Sequence, residues 1–139
     1  MKAARCILAL SWWACATACL AGHGEWSGYP TKDVVYKFEV YTGTADQWDS
    51  ASTPTPALSP GKASLAAKQF VRTVPLRDDM KEWDLQSIAL KRMASSPEEW
   101  IYIVRFDATP KANVWNGPVP WIEVPVRLDG TIPKPEVTK

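Results

Sequence analysis

Seven consecutive residues, Trp100-Ile-Tyr-Ile-Val-Arg-Phe106, carry a single charge, and every other member is aromatic or β-branched. A run of this length and chemistry is a strand, and its lack of polar alternation requires both faces to be covered at least in part. Any fold open to this chain must therefore protect that strand. The surrounding sequence supplies the candidates. Asp33 to Tyr41 alternates, with Val34, Tyr36, Phe38 and Val40 on one side and Val35, Lys37, Glu39 and Tyr41 on the other, which predicts a half-buried strand. Trp83 to Met93 predicts another, its phase slipping near Ser87 as a β-bulge would cause. Val119 to Leu128 predicts a fourth, with Pro125 pointing to an edge position or a bulge.

One helix is legible between the first two of these strands. Ser59-Pro60 reads as an N-cap followed by proline at the first helical position. Ala63, Ala66, Ala67, Phe70 and Val74 then recur at helical spacing, and Pro75 closes the segment. Small residues on that face let a helix sit close to a sheet. Between strand and helix, Thr42 to Leu58 reads as a long loop, and a loop of that length is either mobile or functional. Asp129-Gly130 marks a turn, with Thr131-Ile132 the candidate for a short last strand before a Pro-rich tail. The expected order is β-α-β-β-β. It describes an α+β, two-layer domain of one helix on a four-stranded antiparallel sheet, five-stranded if Thr131-Ile132 pairs.

The N-terminus has a different character. Met1-Lys-Ala-Ala-Arg5 is followed by an uncharged run from Cys6 to Gly22 that holds all three cysteines, Cys6, Cys15 and Cys19. A basic start, an apolar stretch and small residues near its end predict a secretory signal peptide over residues 1–21. Ala16-Thr17-Ala18 fits the small-x-small rule for a cut before Cys19, and Leu20-Ala21 allows one before Gly22. If a lipoprotein peptidase acts, Cys19 becomes a lipidated first residue, the one route by which a membrane enters this reading. A spanning helix needs about 20 apolar residues, and Glu25 follows too soon. Residues 22–32 then read as a flexible lead-in, 33–133 as the domain and 134–139 as a tail. The expected location is periplasmic or secreted.

With the leader gone, the chain keeps no cysteine, so its core stabilises it without disulfides. Losing Lys2 and Arg5 leaves fourteen basic residues against fifteen acidic ones, a net charge of −1. The charges are interspersed, which argues against nucleic acid as a partner. The helix together with Trp83 to Leu90, Trp100 to Phe106 and Val124 to Gly130 resembles small exported bacterial domains of the cystatin-like and PepSY-like kind. The resemblance implies a fold of that outline, and for the cystatin side it raises protease inhibition. Pro120-Trp121 begins a strand rather than a hairpin tip, and no Gln-x-Val-x-Gly is present.

Catalytic chemistry is restricted by composition. The only histidine is His23, close to the expected mature start and read as incidental, so neither a Ser-His-Asp nor a Cys-His nucleophile can assemble. Zinc and copper sites lack their usual ligands for the same reason, and no cofactor is expected. Asp78, Asp79, Glu82 and Asp84 form one acidic group and Glu98-Glu99 another, both read as solvated turns rather than the facing carboxyls of a glycosidase. Tryptophan is the unusual residue. Trp83, Trp100 and Trp121 fall at strand starts, while Trp26, Trp48 and Trp115 fall in expected loops. Trp48 and Trp115, with Asn113 and Asn116 beside the latter, are the candidate binding residues, since a flat ring with an N–H suits partner recognition. The expectation is a non-catalytic exported module that binds a protein, peptide or envelope component. A cystatin-like inhibitor is the alternative, and a carboxylate-based hydrolase is a more remote one.

Overall fold

In a computed structural model, residues 22–94, 96–113, 115 and 117–139 are described. The expected signal peptide, residues 1–21, and with it the lipidation candidate Cys19, lies outside them. The elements run β1 (His23–Thr31), β2 (Val34–Tyr41), a 3-10 turn (Thr44–Asp46), α1 (Pro60–Val71), β3 (Met80–Arg92), β4 (Trp100–Pro110), β5 (Trp121–Arg127) and β6 (Glu136–Thr138). All strand pairs are antiparallel, and the six-stranded sheet has the spatial order β3-β4-β5-β1-β2-β6. The α+β class with one helix holds among the described residues. The strand count does not.

Both additional strands lie where sequence reasoning placed irregular chain. β1 occupies the expected lead-in, and His23, at its start, pairs with Tyr41 with ring centroids 4.8 Å apart, so it is part of the sheet rather than of a loose tail. Gly24 and Gly28 read as loop residues but serve close approach. A Cβ on Gly28 would stand 2.6 Å from Ile122 Cβ and 2.9 Å from its Cα. β6 occupies the expected tail and pairs with Val35, Tyr36 and Lys37 of β2. Thr131-Ile132 is not a strand; Arg127 N–H donates to the Thr131 carbonyl, and Gly130, at φ 86°, makes the turn.

α1 forms as its ends dictate. The Ser59 side chain accepts from the Lys62 N–H at 3.3 Å, and Pro60 opens the first turn. Ala63, Ala67 and Val71 are buried at four-residue spacing against β4 and β5. The sheet side of this layer is Tyr102, Val104 and Phe106 of β4 with Ile122, Val124 and Val126 of β5. By strand alternation the residues between them face the other way. Ile101 and Ile103 do so, and they too are buried, at 0% and 3% exposure, in a second cluster with Val40 and Met93. Trp26 touches both clusters. The central strand thus has the two-sided cover its sequence requires, and each fully buried Val or Ile stabilises by about 1.5–3 kcal/mol.

β1 makes this cover available. It pairs with β5 only at Gly28↔Ile122 and Tyr29↔Trp121, so the rest of β1, with β2, is free to pack elsewhere. Pro125 lies beyond that short pairing, which explains a proline in a strand with neighbours on both sides. The bulge expected near Ser87 is present between Leu85 and Ser87, and a second lies between Met80 and Glu82.

The long loop is tied down along its length. Asp46 is fully buried, and its carboxylate accepts from Arg127 Nε at 3.0 Å, Arg127 Nη2 at 2.6 Å, Gly43 N–H at 3.0 Å and Leu128 N–H at 3.4 Å. Asp46 in turn holds the Arg127 guanidinium further above its ordinary pKa, against the opposing effect of burial. The Trp48 backbone N–H donates to the Glu98 carbonyl, and its ring lies 5.2 Å from that of Trp100. Tyr102 Oη donates to the Leu58 carbonyl at 2.8 Å just before α1.

Candidate functional site

β4 changes chemistry along one face: Ile101 and Ile103 are followed two and four residues later by Arg105 and Asp107. Arg105 Nε donates to Asp107 Oδ1 at 3.0 Å, and its Nη1 lies 3.8 Å from Glu123 Oε1. The Arg105 guanidinium also sits 4.8 Å from the ring centroid of Trp121, the residue paired with Asp107. On the next strand Tyr29 pairs with Trp121, its ring 5.2 Å away, and remains 45% exposed. A row of ring, ring and guanidinium results, held in register by three strands.

The loops at that end extend the row. Arg77 lies 5.2 Å from the ring centroid of Trp115, and Trp115 Nε1 donates to the Gly117 carbonyl at 2.7 Å. Arg77 Nε also donates to Asp79 Oδ1 at 2.5 Å, and this guanidinium holds the Asp79 carboxyl below the usual carboxylate range. A groove of about 220 Å³ runs between Tyr29, Lys32, Arg77, Pro118 and Trp121. Cation–π contacts at such exposed sites contribute about 0.5–1 kcal/mol each, enough to orient the rings without sealing them.

The sequence-derived binding residues do not share one surface. Trp115 is half-buried at this end and Asn113 is exposed beside it, while Asn116 lies outside the described residues. Trp48 sits at the other end of β4, beside Trp100, and an eleven-residue strand separates its ends by roughly 33 Å. The Trp48 indole N–H donates to the Thr53 carbonyl at 2.9 Å, in a loop that the Asp46–Arg127 pair fixes. Tyr29 and Trp121, central to the aromatic row, were not singled out for binding. Tyr29 lies in the expected lead-in, and Trp121 at an expected strand start. The charged pair Arg105/Asp107, at the end of an otherwise apolar strand face, was the available signal.

Other candidates offer less. A groove of about 560 Å³ lies between the chain preceding α1 and the β3 side of the sheet, where Pro56, Pro60, Ile88, Leu90 and Tyr102 line it and Lys62 is the one charged residue. Of the acidic groups, Asp78, Asp79, Glu82, Asp84 and Glu98 are exposed as expected of turns and surface positions. Glu99 departs from the expectation. It is 6% exposed, because alternation turns it to the same side as Ile101 and Ile103. Among the described residues no group of three or more His, Cys, Asp or Glu could hold a metal, and no helix is long and apolar enough to cross a membrane. Comparison with protein-family models, curated proteins and solved structures finds no match to this chain.

Proposed function

We propose that this chain is an exported, non-catalytic binding module that contacts a protein, peptide or envelope component through the Tyr29–Trp121–Trp115 surface. The observation that carries the reading is the aromatic row itself: rings on paired strands, oriented by Arg105 and Arg77, with Tyr29 left open to solvent. Rigid aromatic side chains lose little conformational freedom on binding, and arginine beside them suits desolvated contact, so such groups dominate the energetics of recognition surfaces. The neighbouring carboxylates of Asp79, Asp107 and Glu123 neutralise the arginines, which favours a partner of mixed polarity over a polyanion.

The test is capture of cross-linked partners from a cell-envelope fraction by the exported protein. The comparison is between wild type, a Tyr29→Ala/Trp115→Ala variant, and Trp48→Ala at the opposite end. Loss of two contact residues worth about 2 kcal/mol between them weakens binding about thirtyfold, so the double variant recovers little partner while Trp48→Ala recovers the wild-type amount. Equal recovery by all three proteins refutes the assignment of the surface.

A further inference from the structure

A buried carboxylate at the back of the second apolar cluster points to how the chain is matured. Glu99 is 6% exposed, yet no lysine, arginine or histidine side chain among the described residues pairs with it. Its hydrogen-bond donors are the Thr42 hydroxyl and the backbone N–H of Gly22, the latter at 2.9 Å, and both reach Oε2. An anion removed from water with only neutral donors is costly, and a cation beside it offsets much of that cost. Gly22 is itself buried and held from its other side, where its carbonyl accepts from Thr42 N–H at 2.8 Å, with the Thr42 hydroxyl oxygen 3.1 Å away. The seat admits no side chain. A Cβ on Gly22 would stand 2.8 Å from Glu99 Oε2 and 2.9 Å from Met93 Cβ, and would also meet Thr42 Oγ1.

We propose that the chain is cut between Ala21 and Gly22, and that the Gly22 α-ammonium so formed seats on Glu99 as a buried ion pair. In the cut, water adds to the Ala21 carbonyl carbon and the C–N bond breaks. Ala21 leaves as a carboxylate, and the Gly22 nitrogen takes up the protons to become an ammonium. A leader-removing endopeptidase supplies the catalysis, and Cys19 and Ala21 are the small residues such an enzyme reads. The nitrogen already lies where the cation is needed, so a neutral N–H···carboxylate contact becomes a charge-assisted one without any movement of the chain. Cleavage before Cys19 would leave an amide at Gly22 and no such pair. The ion pair joins the start of β1 to the residue before β4, so removal of the leader also locks the ribbon that covers Ile101 and Ile103.

The experiment expresses the full chain with its own leader in an exporting bacterium and determines the intact mass and first residue of the exported product. Gly22 as first residue is expected. A product beginning at Cys19, with or without lipid, or one retaining residues 1–21, overturns the proposal. The same wild-type product is then treated with an amine-acylating reagent in native buffer and in urea. The seated α-amine reacts roughly tenfold or more slowly in the folded protein, as a group that must await local opening does. Equal rates overturn the ion pair. Glu99→Gln is expected to restore fast acylation in native buffer, and an unchanged slow rate in that variant removes Glu99 from the explanation. Should that variant not fold, the native-against-urea comparison on wild type decides alone.

Discussion

Replacing Asp46 by alanine is the sharpest test of how this fold is held. Asp46 is fully buried and receives two guanidinium nitrogens and two backbone N–H groups. Its removal leaves Arg127 without its bidentate anion and strands the N–H groups of Gly43 and Leu128. Breaking one side of a buried pair costs about 3–5 kcal/mol. The Arg127 side chain keeps 29% of its surface in water, which places this case near the lower end, about 3 kcal/mol. For a domain of this size that is a fall in Tm of about 12 °C. It is also a shift of about 2 M in the urea midpoint if the slope is about 1.5 kcal/mol per molar. The assay is urea unfolding followed by tryptophan fluorescence and by circular dichroism, with slopes compared to confirm that the denatured state is unchanged. A companion variant, Asp46→Leu/Arg127→Met, removes both charges and recovers at least half of the loss, because an apolar pair of similar volume leaves no ion behind. A loss below about 1 kcal/mol in Asp46→Ala, or a double variant worse than the single one, would refute the clamp.

Two further outcomes follow from the geometry. Gly28→Ala drives a methyl into Ile122 at the only junction between β1 and β5, and it is expected to destabilise by about 1–3 kcal/mol in thermal unfolding; a change under about 0.5 kcal/mol would show that the close approach is not needed. Tyr102→Phe leaves the Leu58 carbonyl without its donor and costs about 1 kcal/mol at neutral pH. Burial raises the Tyr102 phenol above its usual value near 10, so the stability gained by keeping it protonated is complete below that value. That contribution is lost as pH rises through the folded-state pKa. The gap between wild type and variant is therefore constant up to about pH 10 and narrows above it in urea unfolding, and parallel curves above that pH would contradict this.

What could be read from the chain follows from where its signals are local. β2, β4 and β5 declare themselves because their side chains alternate, or saturate, over several residues, and α1 because its cap, proline and alanines occur together. β1 is silent for a physical reason: Gly24 and Gly28 were selected by what passes close to the backbone, and a missing side chain looks the same in a loop. β6 has three exposed residues and no burial pattern at all, so only its pairing with β2 defines it. The candidate surface divides similarly. Trp115 is conspicuous in its loop, but Tyr29 becomes meaningful only once β1 lies beside β5, and Arg105 only once Trp121 lies across from it.

The two outer rims of the sheet are protected by different means. β3 presents thirteen residues, but two register slips kink it, and Lys81, Glu82, Asp84 and Gln86 are exposed along it. The opposite rim would be β2, whose backbone at Val35–Lys37 is covered by the three residues of β6. Removing Glu136–Thr138 would uncover hydrogen-bonding groups of β2 that the exposed edge of another molecule can use, opening a route to edge-to-edge association. Three exposed residues with no part in the core thus guard the sheet against association along this side.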